Sequence, residues 1–256
     1  MDVQVEGSGP VEPFFAARDL FEREATLDEP ITVRIVEDPD ERTRVQHDAD
    51  GHVLTISQQA ATSAMARELA LHEFAHMHHH ECGHPSHTQS MEEVIFLALA
   101  GRTVEQRKLT HCQQIANHMK DIYADDLWLS VVPAGKLVDF LESSVATALA
   151  DQPAASAWDQ FGTDDAARTS AASDPEITAV NTAFALGLVE RHSLVEPDHR
   201  LYDLAHAAAA DAPEVDFERF RGWFRSLAAD PDESEYRKTL VDATREYAGG
   251  SGPAAD

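Results

Sequence analysis

Leu71-His72-Glu73-Phe74-Ala75-His76 places two imidazoles four residues apart, with a carboxylate beside the first. On a helix, positions i and i+4 share a face one turn apart. Two imidazoles so placed can bind one tetrahedral zinc ion at roughly 2.0–2.1 Å. Glu73 is turned about 100° around the helix axis from His72. From there it reaches a water activated by the metal and takes its proton without displacing it. A catalytic zinc takes a third protein ligand and keeps one position open. Asp121 is the first candidate for that ligand: Asn117, Asp121 and Asp125 are spaced i, i+4, i+8 and share a helix face, so Asn117 and Asp125 would support the ligands from one turn away. The alternates are His84 and His87, in the loop after the motif, and Glu92 or Glu93 at the start of the next helix. Tyr123 and His118 are the candidate donors to an oxyanion, though nothing in the sequence selects them.

Seven of the 14 histidines fall between His72 and His87, so chance must be weighed against chemistry. The stripe Ala61, Met65, Leu69, His72 and His76 argues for chemistry, because the two histidines prolong an apolar face and would be costly to bury unpartnered. The consecutive His78, His79 and His80 point in different directions and read as solvated residues at the end of the helix.

The elements that must hold these residues are mostly helical. Ile31 to Val36 alternates β-branched residues as a half-buried strand does, and Asp50-Gly51 is a turn leading into a strand over His52 to Ile56. The rest of the first 60 residues reads as β with one short helix. Ala60 to about His80 is then a helix ended by Gly83 and Pro85. Further helices are expected at Ser90–Ala100, Thr103–Asp126 and Lys136–Leu149. Residues 151–175, rich in Ala, Asp, Ser and Gly, read as a linker. Asp174-Pro175 supplies a cap and a first-turn proline for a C-terminal helical region over residues 176–248. Phe217, Phe220, Phe224 and Leu227 form a core stripe there. Residues 249–256 read as a flexible tail, and residues 1–150 as the metal-binding domain.

Composition narrows the function classes. The chain has 256 residues, 43% of them hydrophobic, enough for one large domain or two small ones. The longest apolar stretch, Val94 to Ala100, is too short to span a bilayer, and the opening residues carry no basic or apolar leader. Two cysteines, Cys82 and Cys112, fit a reducing cytoplasm. There are 46 acids against 20 bases, a net charge of −26, and only four of the bases are lysines. Such a charge repels nucleic-acid backbones. It also repels itself until molar salt shortens the Debye length to roughly 3 Å. Acids spread along the whole chain, with few lysines, fit a protein of a salt-loving cell that needs that salt to stay folded.

On these residues the sequence resembles the zincin metallopeptidases, in the branch with an acidic ligand on the helix after H-E-x-x-H. Asn117-His-Met-Lys-Asp121 is similar to the N-x-x-x-D signature that follows the motif in several bacterial and archaeal peptidase families. The resemblance implies His72, His76 and Asp121 as zinc ligands, Glu73 as the base and Asn117 as a support. It covers about residues 31–126. The longer gluzincin and metzincin signatures are absent: His79 and Cys82 stand where the metzincin glycine and third histidine fall. Gly83-His84 is similar to the Gly-His of SprT-like peptidases, but Pro85 follows it. The whole chain resembles an uncharacterised protein family of halophilic archaea.

The expectation is an α+β, predominantly helical protein: a small sheet, a zincin-like active-site helix pair and a C-terminal helical layer. Its expected activity is zinc-dependent hydrolysis of peptide bonds in a peptide or protein substrate, with no nucleic-acid or membrane partner. The rival is a non-catalytic protein that keeps the motif for a structural metal or a helical partner. Four protein ligands, with Cys82 or His84 filling the open position, would mark that rival.

Overall fold

The computed structural model describes residues 1–151 and 174–249. The expected linker and tail therefore lie almost wholly outside the described residues. The protein is α+β and predominantly helical, as its patterning requires, with a single four-stranded sheet among the described residues. The chain forms two compact units: residues 1–89 with 120–136, and residues 90–119 with 137–256. This grouping differs from the contiguous division at residue 150, because a long helix contributes one end to each unit.

The first unit holds the sheet. Strands β1 (Val3–Glu6), β2 (Ile31–Val36), β3 (Arg44–Asp48) and β4 (Gly51–Ser57) lie in the order β1-β2-β4-β3. β1 and β4 run parallel to β2, and β3 returns antiparallel on β4. In β2 the alternation works as expected: Ile31, Val33 and Ile35 are buried, while Thr32, Arg34 and Val36 are not. β4, paired on both sides, is buried along most of its length. Gly51 opens it with a positive φ of 127°, and a Cβ there would lie 2.3 Å from the Pro30 carbonyl oxygen, so only glycine fits.

Two helices of this unit pack together. Helix α1 (Glu12–Phe21) buries Phe14, Ala17 and Phe21. The long helix expected from residue 60 is interrupted. Ser57 caps a short α2 (Gln58–Ala61) by accepting from the Ala60 amide, and α3 (Ala66–Glu81) then starts afresh. α3 buries Ala70, Leu71, Phe74, Ala75 and Met77, and Phe74 meets Phe21 edge-on at 6.1 Å. The apolar stripe read from Ala61 to His76 is therefore not the core face. Ala61 belongs to another helix, and Met65, Leu69, His72 and His76 are only half-buried on its flank. Glu68, buried in the first turn of α3, is paired by Arg67 at 2.5 Å and Lys136 at 3.2 Å, as an interior charge must be. After α3, Gly83 takes a φ of 65° and the short α4 (Pro85–Thr88) follows. The end of α6 (Gln106–Trp128) completes the unit.

The second unit is helical: α5 (Met91–Leu99), the first part of α6, α7 (Gly135–Ala150), α8 (Pro175–Arg191), α9 (Arg200–Asp211), α10 (Phe217–Ser226) and α11 (Glu233–Gly249). Asp174 caps α8 by accepting from the Glu176 amide, as Asp-Pro patterning predicts. α8 is buried nearly all round from Ile177 to Val189, which makes it the central helix. α10 crosses it where a Cβ on Gly187 would lie 2.8 Å from Phe224, and the expected stripe Phe217, Phe220, Phe224 and Leu227 is buried. No helix among the described residues is long and apolar enough to cross a membrane.

Candidate metal centre

α3 and the last turns of α6, both within the first unit, bring three donor atoms together. His72 Nε2 and His76 Nε2 are 2.9 Å apart, and Asp121 Oδ1 lies 3.8 Å from the first and 3.3 Å from the second. An ion at roughly 2.0–2.1 Å from each of its tetrahedral ligands would hold those ligands about 3.3–3.4 Å apart. The three distances bracket that spacing. Two imidazole nitrogens and a carboxylate oxygen are also the donor types that zinc takes, so the residues fit the ion on chemistry as well as on geometry. Among the described residues no fourth histidine, cysteine or carboxylate joins the group.

Each imidazole is held from behind. His72 Nδ1 donates to Asp125 Oδ1 at 2.8 Å, and Trp128 Nε1 donates to the same oxygen at 2.6 Å. Asp125 is 4% exposed, so this carboxylate is an interior anchor for the His72 ring. Burial disfavours the imidazolium form of His72. The Asp125 carboxylate, aided by Asp121 and Glu73, outweighs burial and pushes His72 up to about 10. The site thus favours an added positive charge. His76 is held differently: its Nδ1 lies 2.8 Å from His87 Nε2. His87 Nδ1 lies 2.7 Å from Ser86 Oγ, which lies 2.7 Å from His84 Nδ1. Burial, reinforced by Lys120 and neighbouring histidines, strongly lowers the pKa of His87.

Several expectations need correction. His87 touches the far nitrogen of His76, and His84 touches Ser86, so neither alternate joins the donor group. Glu93 is exposed in the first turn of α5, in the other unit, and Glu92 beside it is exposed too. Asn117 is an exposed side chain one turn before Asp121 on α6, whereas a supporting group would be packed behind the ligands. His118, in the second unit, bonds Asn181 Oδ1 at 2.8 Å and stacks on Phe184 at 4.3 Å, which removes it as an oxyanion donor. The Tyr123 hydroxyl is sealed from solvent, and its ring packs on His84 at 4.7 Å, so it is not placed to meet a substrate. The histidine run is not solvated as a block. His78 bonds the Thr26 carbonyl, His79 bonds the Tyr123 carbonyl, and His80 stacks on His47 at 3.7 Å.

Sequence reasoning missed three contributors. Trp128 orients Asp125, and its signal was the i, i+3 spacing to that acid. His87 supports His76 across a loop that no periodicity describes. Lys120, one of only four lysines, is half-buried; burial lowers its pKa while Asp121 and Glu73 act to raise it.

Glu73, beside His72 on α3, is half-buried and contributes to the field on His72 and Lys120. The arrangement can therefore hold a divalent cation, with a carboxylate and an ammonium in its surroundings. The second unit holds another group of similar type, His111, Asp174 and Glu176. There Arg107 pairs with Asp174 and, at 3.4 Å, with Glu176, while Lys108 Nζ lies 3.7 Å from Glu176.

Fold and site together define an α+β, mainly helical protein with a His₂–Asp cluster of metal-ligand geometry. The chain belongs to a family of unknown function, DUF5781, whose model matches residues 1–249. No curated protein and no solved structure matches it.

Proposed function

We propose that the protein is a zinc-dependent metallopeptidase working in a saline cytoplasm. The observation that carries this reading is the convergence of His72 Nε2, His76 Nε2 and Asp121 Oδ1, spaced for a tetrahedral ion with no fourth protein donor among the described residues. Three protein ligands leave a position open, which is the arrangement of catalytic rather than structural zinc. A zinc ion held there supplies Lewis acidity, lowering the pKa of water to about 7 and polarising the scissile carbonyl. Glu73 takes the proton from the attacking water and returns it to the leaving amine. Asp125 and His87 keep the two imidazoles oriented while this happens. The net charge of −26 and the two cysteines support a salt-rich, reducing compartment.

The test purifies the chain in molar salt and measures zinc by elemental analysis, then follows cleavage of a mixed peptide library by mass spectrometry. The expected result is about one zinc per chain in both the native protein and Glu73→Gln. Cleavage should fall by roughly 100-fold or more in the variant, as loss of a general base does. Zinc without cleavage by the native protein would favour the non-catalytic reading, and equal cleavage by both proteins would remove Glu73 from its role.

A further inference from the structure

We propose that Ser86 and His87 act as positioning residues that lock His76 in the one tautomer able to bind a metal through Nε2. The inference rests on the reading of His76 as a ligand and adds how the loop after α3 regulates it.

The direction of the relay can be read from its far end. The Ser86 backbone amide lies 3.2 Å from His84 Nδ1, and an amide can only donate. His84 Nδ1 is therefore an acceptor. Ser86 Oγ, 2.7 Å from the same nitrogen, must then donate its hydroxyl proton to it. That leaves only lone pairs on Oγ for His87 Nδ1, also at 2.7 Å, so His87 donates from Nδ1. A neutral His87 that is protonated at Nδ1 carries a lone pair at Nε2. His76 Nδ1, 2.8 Å away, donates into it. The proton of His76 thus sits on Nδ1, and its Nε2 presents a lone pair toward His72 Nε2 and Asp121 Oδ1.

Burial makes the lock rigid. Ser86 is 3% exposed, so its hydroxyl has few alternatives to these partners. Pro85 opens the short helix and His84 caps it, which fixes the spacing between the imidazoles of His84 and His87. The relay differs from the support of His72, whose Nδ1 meets a carboxylate that would accept a proton from it whatever its other neighbours do.

The test uses the full chain with ¹⁵N-labelled histidine. In the zinc-free native protein, long-range ¹H–¹⁵N spectra should show His76 as a single Nδ1–H tautomer. His87→Leu fills the space without an acceptor and should give mixed tautomers. His87→Gln, whose amide can accept from His76 and donate to Ser86, should restore the single form. Zinc affinity, read by chelator competition, should weaken about 10- to 100-fold in His87→Leu, the range for lost supporting bonds, and recover to near native in His87→Gln. A mixed tautomer in the native protein would overturn the relay, as would His87→Leu matching it in both spectrum and affinity. A single tautomer in a protein that binds no zinc would uphold the relay and defeat the metal reading, so the two failures are distinct.

Discussion

His72, His76 and Asp121 in the first unit, and His111, Asp174 and Glu176 in the second, bring histidine and carboxylate donors within 4.8 Å of one another. Their surroundings separate them. In the second group the acids are already neutralised: Arg107 pairs with Asp174 and Glu176, and Lys108 approaches Glu176. Those acids in turn raise the pKa of Arg107, mainly through the bond to Asp174, so its charge is permanent. In the first group Asp121 faces two imidazoles, and a cation that feels it, Lys120, has its charge disfavoured by burial. Equal donor chemistry therefore leaves a candidate cation site in one place and an ion-pair lock in the other. What separates them is that the positive charge at the second group is a permanent guanidinium, whereas at the first it is a proton on His72 that a metal can displace.

The largest effect that could break this comparison is loss of the metal. His72→Ala or His76→Ala should reduce bound zinc from about one per chain to less than a tenth, while His111→Ala leaves it unchanged. Elemental analysis after gel filtration in molar salt reads all three. Zinc lost from His111→Ala but kept by His72→Ala would reverse the assignment. Asp125→Asn should follow, with zinc affinity 10- to 100-fold weaker because the amide supports His72 less well than a carboxylate. Tyr247→Phe, the matching change beside His111, should have no effect on zinc affinity in the same chelator competition.

Much of this contrast was legible in the sequence, and the reasons are local. H-E-x-x-H on a helix fixes the directions of His72 and His76 before any tertiary contact forms, and the i, i+4 step from Asp121 to Asp125 puts both carboxylates on the face that meets them. Strand β2 and the Asp174 cap were legible for the same reason, since each is set by neighbours in sequence. What was hidden depends on the path of loops. Nothing periodic relates His87 to His76, because Gly83 and Pro85 turn the chain between them. Asn117 shares the face of Asp121 by spacing, yet one turn earlier on α6 its side chain is exposed, which spacing alone does not reveal. The break at Thr62–Met65 was hidden too, because it is set by local bonds that propensity does not count: Thr62 Oγ1 turns back to the Gln58 and Gln59 carbonyls, and the Met65 amide donates to Ser63 Oγ.

Acid should separate the two units by a smaller margin. Burial is the main cause that lowers His47 and His79 to about 4, and it also lowers His80. A histidine with a depressed folded pKa is protonated first in the unfolded chain. Stability is therefore complete above about 6.5 and is lost as pH falls toward about 4. His79 alone contributes on the order of 2 kcal/mol, after discounting its partial exposure. In the second unit His111 moves the same way as a single ring. Burial works against the Glu190 carboxylate there, but its bonds to Arg221 lower its pKa, and that stability fails only below the ordinary carboxylate range. Hydrogen exchange at pH 7 and pH 5 should show α3 losing protection before α8. Simultaneous loss would mean that these rings do not weaken the first unit selectively.

The smallest effect tests the comparison most directly, by asking the second group to become a site. His111 Nδ1 lies 2.5 Å from the Tyr247 oxygen, and Tyr247 donates to Glu176 at 3.2 Å. Tyr247 must then accept from His111 Nδ1, which leaves the lone pair of His111 on Nε2, 4.0 Å from Asp174 Oδ2. The ring is thus already in a ligating tautomer, and the missing condition is uncompensated negative charge. Arg107→Gln removes the pairs to Asp174 and Glu176 while Lys108 stays near Glu176 to limit the strain. Titration calorimetry of zinc into this variant, with the first site already filled, should reveal a second and much weaker equivalent that the native protein lacks. The affinity should stay modest because Lys108 still opposes a divalent ion. If Arg107→Gln folds normally and takes no second zinc, charge compensation is not what silences the group, and the 4.0 Å spacing between His111 and Asp174 becomes the better explanation.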